Sequence, residues 1–197
     1  MNNVIQNINE TFEANIEYLQ NNTYGIMRKA IKLDNGKKKT YPAVTEVRTD
    51  LCNKDTEILL TPNRNRKSIL FWEIIGQVTR EEMAEDMDKL KAVARCYIWL
   101  NTALINKNVS SATSYMSDLY ANLPSKISVI GFHAVLVTNP KFTPNDTNFK
   151  QFSFDDNFTR GDFTAFTFDI ELHLYTSKNC IINIENQNIN ECEELIS

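Results

Sequence analysis

The stretch Phe163–Thr176, FTAFTFDIELHLYT, has the longest uninterrupted alternation of apolar and polar residues in the chain. Its apolar positions are Phe166, Phe168, Ile170, Leu172 and Leu174, and its polar positions are Thr167, Asp169, Glu171, His173 and Tyr175. Successive side chains of a β-strand point to opposite sides of the sheet, so the pattern predicts a strand with one buried and one solvated face. The fold is therefore predicted around a half-buried β-sheet.

The N-terminal segment Asn3–Gln20 predicts an amphipathic helix. Its apolar residues recur at steps of three and four, namely Val4, Ile5, Ile8, Phe12, Ile16 and Leu19. Asn2 or Asn3 is the expected N-cap. This helix is expected to cover one face of the sheet, and the alternative is that it packs on a neighbouring subunit.

Residues 24–33 and 38–47 predict a β-hairpin, because Asn35-Gly36 is a preferred centre for a two-residue turn. Pro42 cannot donate to a strand ladder, so the second arm is expected to be an edge strand or to be interrupted there. The hairpin tip is rich in lysine, which usually keeps a sheet edge solvated and secondarily allows contact with DNA phosphates.

Residues 56–60 and 68–78 predict two further strands, and ILFWEIIG within the second is apolar on both faces, as expected of a central strand. Glu73 interrupts it and is expected at a rim or a subunit interface. Thr79-Arg80-Glu81-Glu82 then has the spacing of a capping box, which predicts a long central helix. Its apolar stripe is Met83, Met87, Leu90, Val93, Ala94, Tyr97, Leu100 and Leu104.

The second half of the chain predicts a shorter helix from Ser110 or Ser111 to Leu123, with Tyr115, Met116, Leu119 and Tyr120 inward, and a strand over 127–138. Residues 139–161 form an excursion longer than most loops, with five phenylalanines. Such residues are costly in solvent, so the excursion is predicted to be an interface. The candidate interface residues are Phe142, Phe149, Phe152, Phe154 and Phe158, with Arg64, Arg66 and Lys67 as polar contacts.

The predicted fold class is α+β: a mixed, mainly antiparallel sheet packed against the N-terminal and central helices. One domain is expected over 1–176, with residues 177–197 as a C-terminal arm. Net charge is uneven, since residues 1–80 carry 12 basic and 9 acidic side chains whereas residues 81–197 carry 9 basic and 16 acidic ones. This asymmetry suits the docking of complementary faces.

Motifs of established chemistry are missing from the sequence. It contains no phosphate-binding loop, no dinucleotide fingerprint and no HExxH, and its four cysteines form no CxxC pair. The two histidines, His133 and His173, are expected to be structural. We therefore expect no cofactor, metal site or disulfide framework. The N-terminus lacks a signal-peptide layout and no apolar run spans a membrane, so synthesis in the cytoplasm is expected.

The N-terminal helix, the ILFWEIIG strand running into TREEMAEDM, and the closing FTFDIELHLY strand together resemble the small α/β neck proteins of tailed bacteriophages. These are the tail-completion, tail-terminator and head-to-tail connector types. The Asn-rich composition is similar to that of phages infecting Bacteroidetes, including the crAss-like group. The resemblance implies a virion protein that forms a homo-oligomeric ring between portal and tail proteins and has no active site.

Two other functions remain open at this point. The polar face Asp169, Glu171 and His173 has the side chains that a small hydrolytic enzyme of unrecognised type uses. A small cytosolic binding module that remains monomeric is the third interpretation. Contact of the basic loops with DNA is possible but is not indicated by the sequence.

Overall fold

The computed structural model describes residues 1–46, 56–84, 87–105, 112–143, 147–154 and 161–177. In chain order its helices are α1 (Asn2–Asn15), the one-turn α2 (Thr102–Ile105) and α3 (Ala112–Asn122), with short 3₁₀ segments at Glu17–Leu19 and Thr147–Gln151. Its strands are β1 (Thr23–Ile26), β2 (Arg28–Asp34), β3 (Lys37–Glu46), β4 (Thr56–Leu59), β5 (Ser68–Ala84), β6 (Met87–Asn101), β7 (Lys126–Ile127), β8 (Ala134–Thr143) and β9 (Phe163–Ser177).

The strands form two sheets. The six-stranded sheet has the order β1-β5-β6-β9-β8-β7 and is antiparallel except where β1 pairs parallel with β5. The three-stranded sheet has the order β2-β3-β4. A mixed fold dominated by antiparallel strands, as predicted, is therefore confirmed. Of the predicted C-terminal arm, Ser177 is the last residue of β9, and residues 178–197, like Phe158, lie outside the described residues.

The alternating strand is β9, and its apolar face is buried as predicted. Phe166, Phe168, Ile170, Leu172 and Leu174 are at most 1% exposed. They join the main core with Trp72 and with residues of α1 and α3. Asn9 of α1 ties this helix to the sheet, because its Oδ1 accepts a hydrogen bond from the indole Nε1 of Trp72 at 2.8 Å and its Nδ2 donates to the Tyr24 carbonyl at 3.0 Å.

A second apolar cluster lies on the opposite face of the six-stranded sheet. It contains Met27, Leu60, Ile69, Phe71, Tyr97, Trp99, Phe149, Phe152 and Ala165. β5 therefore buries apolar side chains on both faces, as its sequence predicts. The three-stranded sheet and the 3₁₀ segment Thr147–Gln151 cover only part of this face, so the half nearer the C-terminal end of β9 carries polar side chains.

The predicted long central helix over 79–104 is wrong. β5 continues to Ala84 and β6 runs from Met87 to Asn101, paired along its whole length with β9. The apolar residues assigned to the predicted helix come from both faces of β6. The residues of β6 that face the main core alternate along the strand: Leu90, Ala92, Ala94, Cys96, Ile98 and Leu100. Pairing with strands on both sides outweighs the capping-box signal at Thr79.

Four smaller expectations are also corrected. Helix α1 begins without a side-chain cap, so neither Asn2 nor Asn3 has the predicted role. Tyr120 is 61% exposed and does not face the core. Residues 127–138 form two paired strands, since a turn with Gly131 at φ +86° separates β7 from β8.

Pro42 lies inside β3, between β2 and β4, and not on an edge strand. The pairing of β3 with β4 ends at Ala43, and the Pro42 carbonyl accepts a hydrogen bond from the Leu60 backbone N–H at 2.8 Å. The missing donor therefore falls at the end of that ladder. The hairpin turn itself is as predicted, with Asn35 at φ +51° and Gly36 at φ +76°.

None of the helices in the described ranges, of which α1 with 14 residues is the longest, has the length and hydropathy of a membrane span.

Candidate functional site

The polar half of the second sheet face brings together the three residues proposed from sequence as a hydrolytic site. Asp169, Glu171 and His173 alternate along β9 and are half-buried. In register, Arg95 of β6 lies opposite Asp169 and Lys91 lies opposite His173. Each of the two carboxylates thus has a cation from the neighbouring strand beside it.

Asp169 is held by a bidentate pair. Arg95 donates from Nε to Asp169 Oδ1 at 2.7 Å and from Nη2 to Oδ2 at 2.8 Å. Arg95 also donates from Nη1 to Asn148 Oδ1 at 3.2 Å. These contacts raise the pKa of Arg95 above its ordinary value, chiefly through the hydrogen bonds to Asp169. A carboxylate with both oxygens engaged by a guanidinium is poorly placed to act as a general base.

Glu171 is paired on the same face. Its Oε2 lies 3.2 Å from Lys91 Nζ and 3.4 Å from His173 Nε2. The hydrogen bond to Lys91, followed by that to His173, lowers the pKa of Glu171 below its ordinary value. A general acid needs the opposite shift. The contacts of Asp169 and Glu171 favour an ion-pair role for this face over a catalytic one.

A hydrogen-bonded chain continues toward β5. Tyr97 donates from its hydroxyl to Glu73 Oε2 at 2.5 Å, and Gln151 Nε2 donates to the Tyr97 hydroxyl at 2.5 Å. Lys29 Nζ lies 3.5 Å from Glu73 Oε1. Burial, and then the Glu73 carboxylate, raise the pKa of Tyr97. Glu73 therefore has both a donor and a cation within its own chain, and this contact joins β2 to β5.

The phenylalanines of the excursion lie in different surroundings. Phe149 and Phe152 are 3% and 6% exposed, and both pack edge-on against Phe71 and Tyr97. Phe142 is half-buried and contacts Phe168, with ring centroids 5.0 Å apart. Half-buried Phe154 lies beside Phe149 and Phe152. Phe149 and Phe152 thus have a core role within their own chain, and the predicted interface role of these residues stays a prediction.

The basic loop before β5 is tied to the N-terminal region. Arg66 Nη1 donates to the Tyr24 hydroxyl at 2.7 Å, and Lys67 Nζ lies 3.0 Å from Glu17 Oε1. Arg64 is exposed, and its carbonyl accepts a hydrogen bond from Asn101 at 2.9 Å. The predicted interface role of these three basic residues stays a prediction.

The feature missed by sequence reasoning is a long open edge on β5. β1 pairs with β5 only at Leu70 and Trp72, and no other described strand lies on that side of β5. Every residue from 76 to 83 is exposed, including Val78 at 47% and Met83 at 57%. An edge of this kind presents unpaired N–H and C=O groups and is a site for strand addition.

The open edge of β5 follows a β-bulge and is tied to β6 by an ion pair with a buried carboxylate. Gly76 has φ +72°, and the register with β6 shifts between Ile75 and Thr79. Arg80 then pairs with Asp88, whose side chain is 1% exposed. Arg80 contacts Asp88 Oδ2, whereas Asp88 Oδ1 is buried and has no hydrogen-bond donor in the part of the chain that the structure describes.

Within the described ranges, no three His, Cys, Asp or Glu side chains are placed to hold a metal ion. Comparison of the chain with protein-family models and with curated proteins finds no match.

Proposed function

We propose that the protein is a structural subunit that assembles with copies of itself through its sheet edges. The open, partly apolar edge of β5 from Val78 to Met83 carries the proposal. An edge that is neither covered nor short can template pairing with another chain, and the charges that this edge carries at Arg80, Glu81 and Glu82 favour a partner edge of complementary charge. Exposed apolar side chains on an unpaired strand add a hydrophobic contribution to that pairing.

The ion pairs on the polar sheet face support the same proposal. Asp169 and Glu171 are each engaged by a cation, and the lowered pKa of Glu171 keeps it ionised. A protein that acts through surface complementarity needs interface residues and no free acid or base. Following the sequence resemblance, we place the assembly in the neck of a tailed bacteriophage as a ring that contacts portal, connector or tail proteins, with the protein made in the host cytoplasm.

The solution mass, measured by light scattering over a range of protein and salt concentrations, tests self-assembly. We expect a discrete oligomer of many subunits. Met83→Lys is expected to weaken the oligomer, because it puts a charge on the apolar edge, whereas Ile130→Lys is the matched control at a residue 73% exposed away from β5. A wild-type monomer at every concentration would refute the proposal.

The virion location is tested separately, because a self-assembling protein need not belong to a phage. If the neck assignment is right, the purified oligomer is expected to bind the portal or tail protein of the same phage. Failure to bind either of them, with the oligomer intact, would leave self-assembly standing and remove the neck assignment.

A further inference from the structure

We infer that the lysine-rich strand β2 of one copy pairs in trans with the distal edge of β5 in the next copy. This inference rests on the proposed self-assembly and names the two surfaces that meet. The β5 surface is residues 78–84, beyond the Gly76 bulge, and is called the acidic edge below. The partner surface is the outer edge of β2 with the tip of the β2–β3 hairpin, called the basic hairpin.

These two strands present the long open edges of the described chain. β2 has 7 residues and is the outermost strand of its sheet. The other outermost strands are short, since β1 and β4 have 4 residues each and β7 has 2. The outer side of β8 beyond β7 is broken by Asn139 at φ +51° and by Pro140, which cannot donate. Strand addition therefore has two favourable edges.

Exposed apolar side chains concentrate on the same two strands. Ile31 and Leu33 of β2 are 65% and 75% exposed, and Val78 and Met83 of β5 are 47% and 57% exposed. These four belong to a set of seven exposed large hydrophobic residues among those described. Pairing the two edges would bring apolar side chains of both strands beside one another and reduce their exposure to water.

The charges of the two surfaces indicate which edge pairs with which. Residues 28–39 carry six basic side chains and one acidic, whereas residues 78–84 carry two acidic and one basic. Part of the charge on both surfaces is paired within the chain. On the hairpin side, Arg28 and Lys32 contact Glu57, Lys29 contacts Glu73 and Lys39 contacts Asp34; on the β5 side, Glu81 contacts Lys89. Those pairs are exposed and weak, so the hairpin keeps a positive potential toward an acidic strand.

The contact is head-to-tail, since a basic hairpin meets an acidic edge and not another basic hairpin. Each copy has one surface of each kind, so both are used in every subunit of a closed assembly. Heterologous contacts of this type form rings when the rotation between copies closes.

Charge reversal tests the inference in the full-length protein. The hairpin variant is Lys37→Glu with Lys38→Glu, at two exposed lysines; the edge variant is Glu81→Lys with Glu82→Lys, at two exposed glutamates. Each variant alone opposes like charges across the contact, so its association constant is expected to fall at least about tenfold at low salt.

The mixture of the two variants is the decisive sample. The wild-type hairpin of one variant then meets the wild-type edge of the other, and reversed hairpin meets reversed edge, so association is expected to return to within about threefold of wild type. Carrying all four substitutions in one chain is expected to restore it likewise. Lys126→Glu with Lys150→Glu makes the same charge change at exposed lysines elsewhere and is expected to leave association unchanged.

The outcomes separate the two proposals. A wild-type monomer refutes self-assembly and the inference with it. A wild-type oligomer whose association is unaffected by either reversal, or is not restored in the mixture, overturns the inference alone. Loss of DNA binding in the hairpin variant, with association intact, would also overturn it and assign the lysines to phosphate contacts.

Discussion

Phe149 was predicted from sequence as an interface residue, and its surroundings in the fold predict a different response to substitution. It is 3% exposed, and its ring packs edge-on against Phe71 at a centroid distance of 6.3 Å and against Tyr97 at 5.4 Å. Truncating a buried phenylalanine to alanine costs about 3–5 kcal/mol, and each aromatic pair contributes about 0.5–1.5 kcal/mol of such losses. Phe149→Ala is therefore expected to lower the free energy of unfolding of the isolated subunit by about 3–5 kcal/mol.

The assay is urea unfolding followed by circular dichroism, at a protein concentration where the subunit is monomeric. With a slope of about 2 kcal/mol per molar urea, the expected loss lowers the midpoint by about 1.5–2.5 M. Because a loss of this size can unfold a marginal domain, Phe149→Leu is measured beside it, with an expected cost of about 1–1.5 kcal/mol. Lys150→Ala, an exposed neighbour on the same 3₁₀ segment, is the control and is expected to change stability by less than about 0.5 kcal/mol.

The interface interpretation makes the contrary prediction. If Phe149→Ala left the urea midpoint of the monomer within about 0.3 M of wild type and abolished assembly, the reasoning from burial would be refuted.

Three further perturbations test other contacts of the fold. Asn9→Leu removes the acceptor of the buried Trp72 indole N–H, and is expected to cost about 1–3 kcal/mol in urea unfolding; an unchanged midpoint would contradict the assigned bond. Arg80→Ala leaves the buried Asp88 carboxylate without this cation and is expected to lower the free energy of unfolding by about 2–3 kcal/mol. The loss is smaller than for a fully buried pair because Arg80 is half exposed. Asp88→Asn in the same chain should reduce the loss, because it removes the unpaired charge. The pKa of Glu171 is lowered in the fold, so its stabilising contribution is present above the ordinary value of 4.5 and is lost as the pH falls through the lowered pKa. The difference in Tm between wild type and Glu171→Gln should therefore shrink between about pH 5 and pH 3, and a constant difference would exclude the pair as its source.

The parts of the fold that sequence predicts correctly are set by local patterns. The alternation in β9 is compatible with one strand orientation, in which five apolar side chains are buried. The three- and four-residue spacing in α1 likewise places its apolar side chains on one buried face of a helix. Asn35-Gly36 fixes its hairpin because both residues adopt positive φ. In each case, the decisive information lies within about twenty residues.

The helix prediction for residues 79–104 is wrong because the local sequence signals disagree with the tertiary surroundings. Glu81 and Glu82 favour the first turn of a helix, and the apolar residues that follow also fit a helical stripe. In the fold, Arg95 and Tyr97 face one side of the sheet while Ala94 and Cys96 face the other. Pairing of β6 with β5 on one side and with β9, far along the chain, on the other decides between the two periods.

Because β6 was predicted as a helix, the cations that pair with the candidate site were not predicted from sequence. Sequence reasoning placed Asp169, Glu171 and His173 on one face, which the structure confirms. Their cations, Lys91 and Arg95, belong to the strand that was predicted as a helix. The open edge of β5 was missed for this reason as well, since a strand ending at Val78 has little edge to expose.

The distribution of charge over the two open edges has a consequence for symmetry. Two copies of β2 brought edge to edge would oppose their lysines, so a symmetric dimer through β2 is disfavoured by like charge. The mixed pairing is the arrangement that gains attraction, and it leaves one surface of each kind unsatisfied in every open chain of subunits. Closure satisfies both remaining surfaces at once, whereas a dimer satisfies only one pair. In the proposed assembly, the lysines that discourage pairing of β2 with itself would also direct β2 toward the acidic edge, and this charge pattern would favour a closed ring over a twofold dimer.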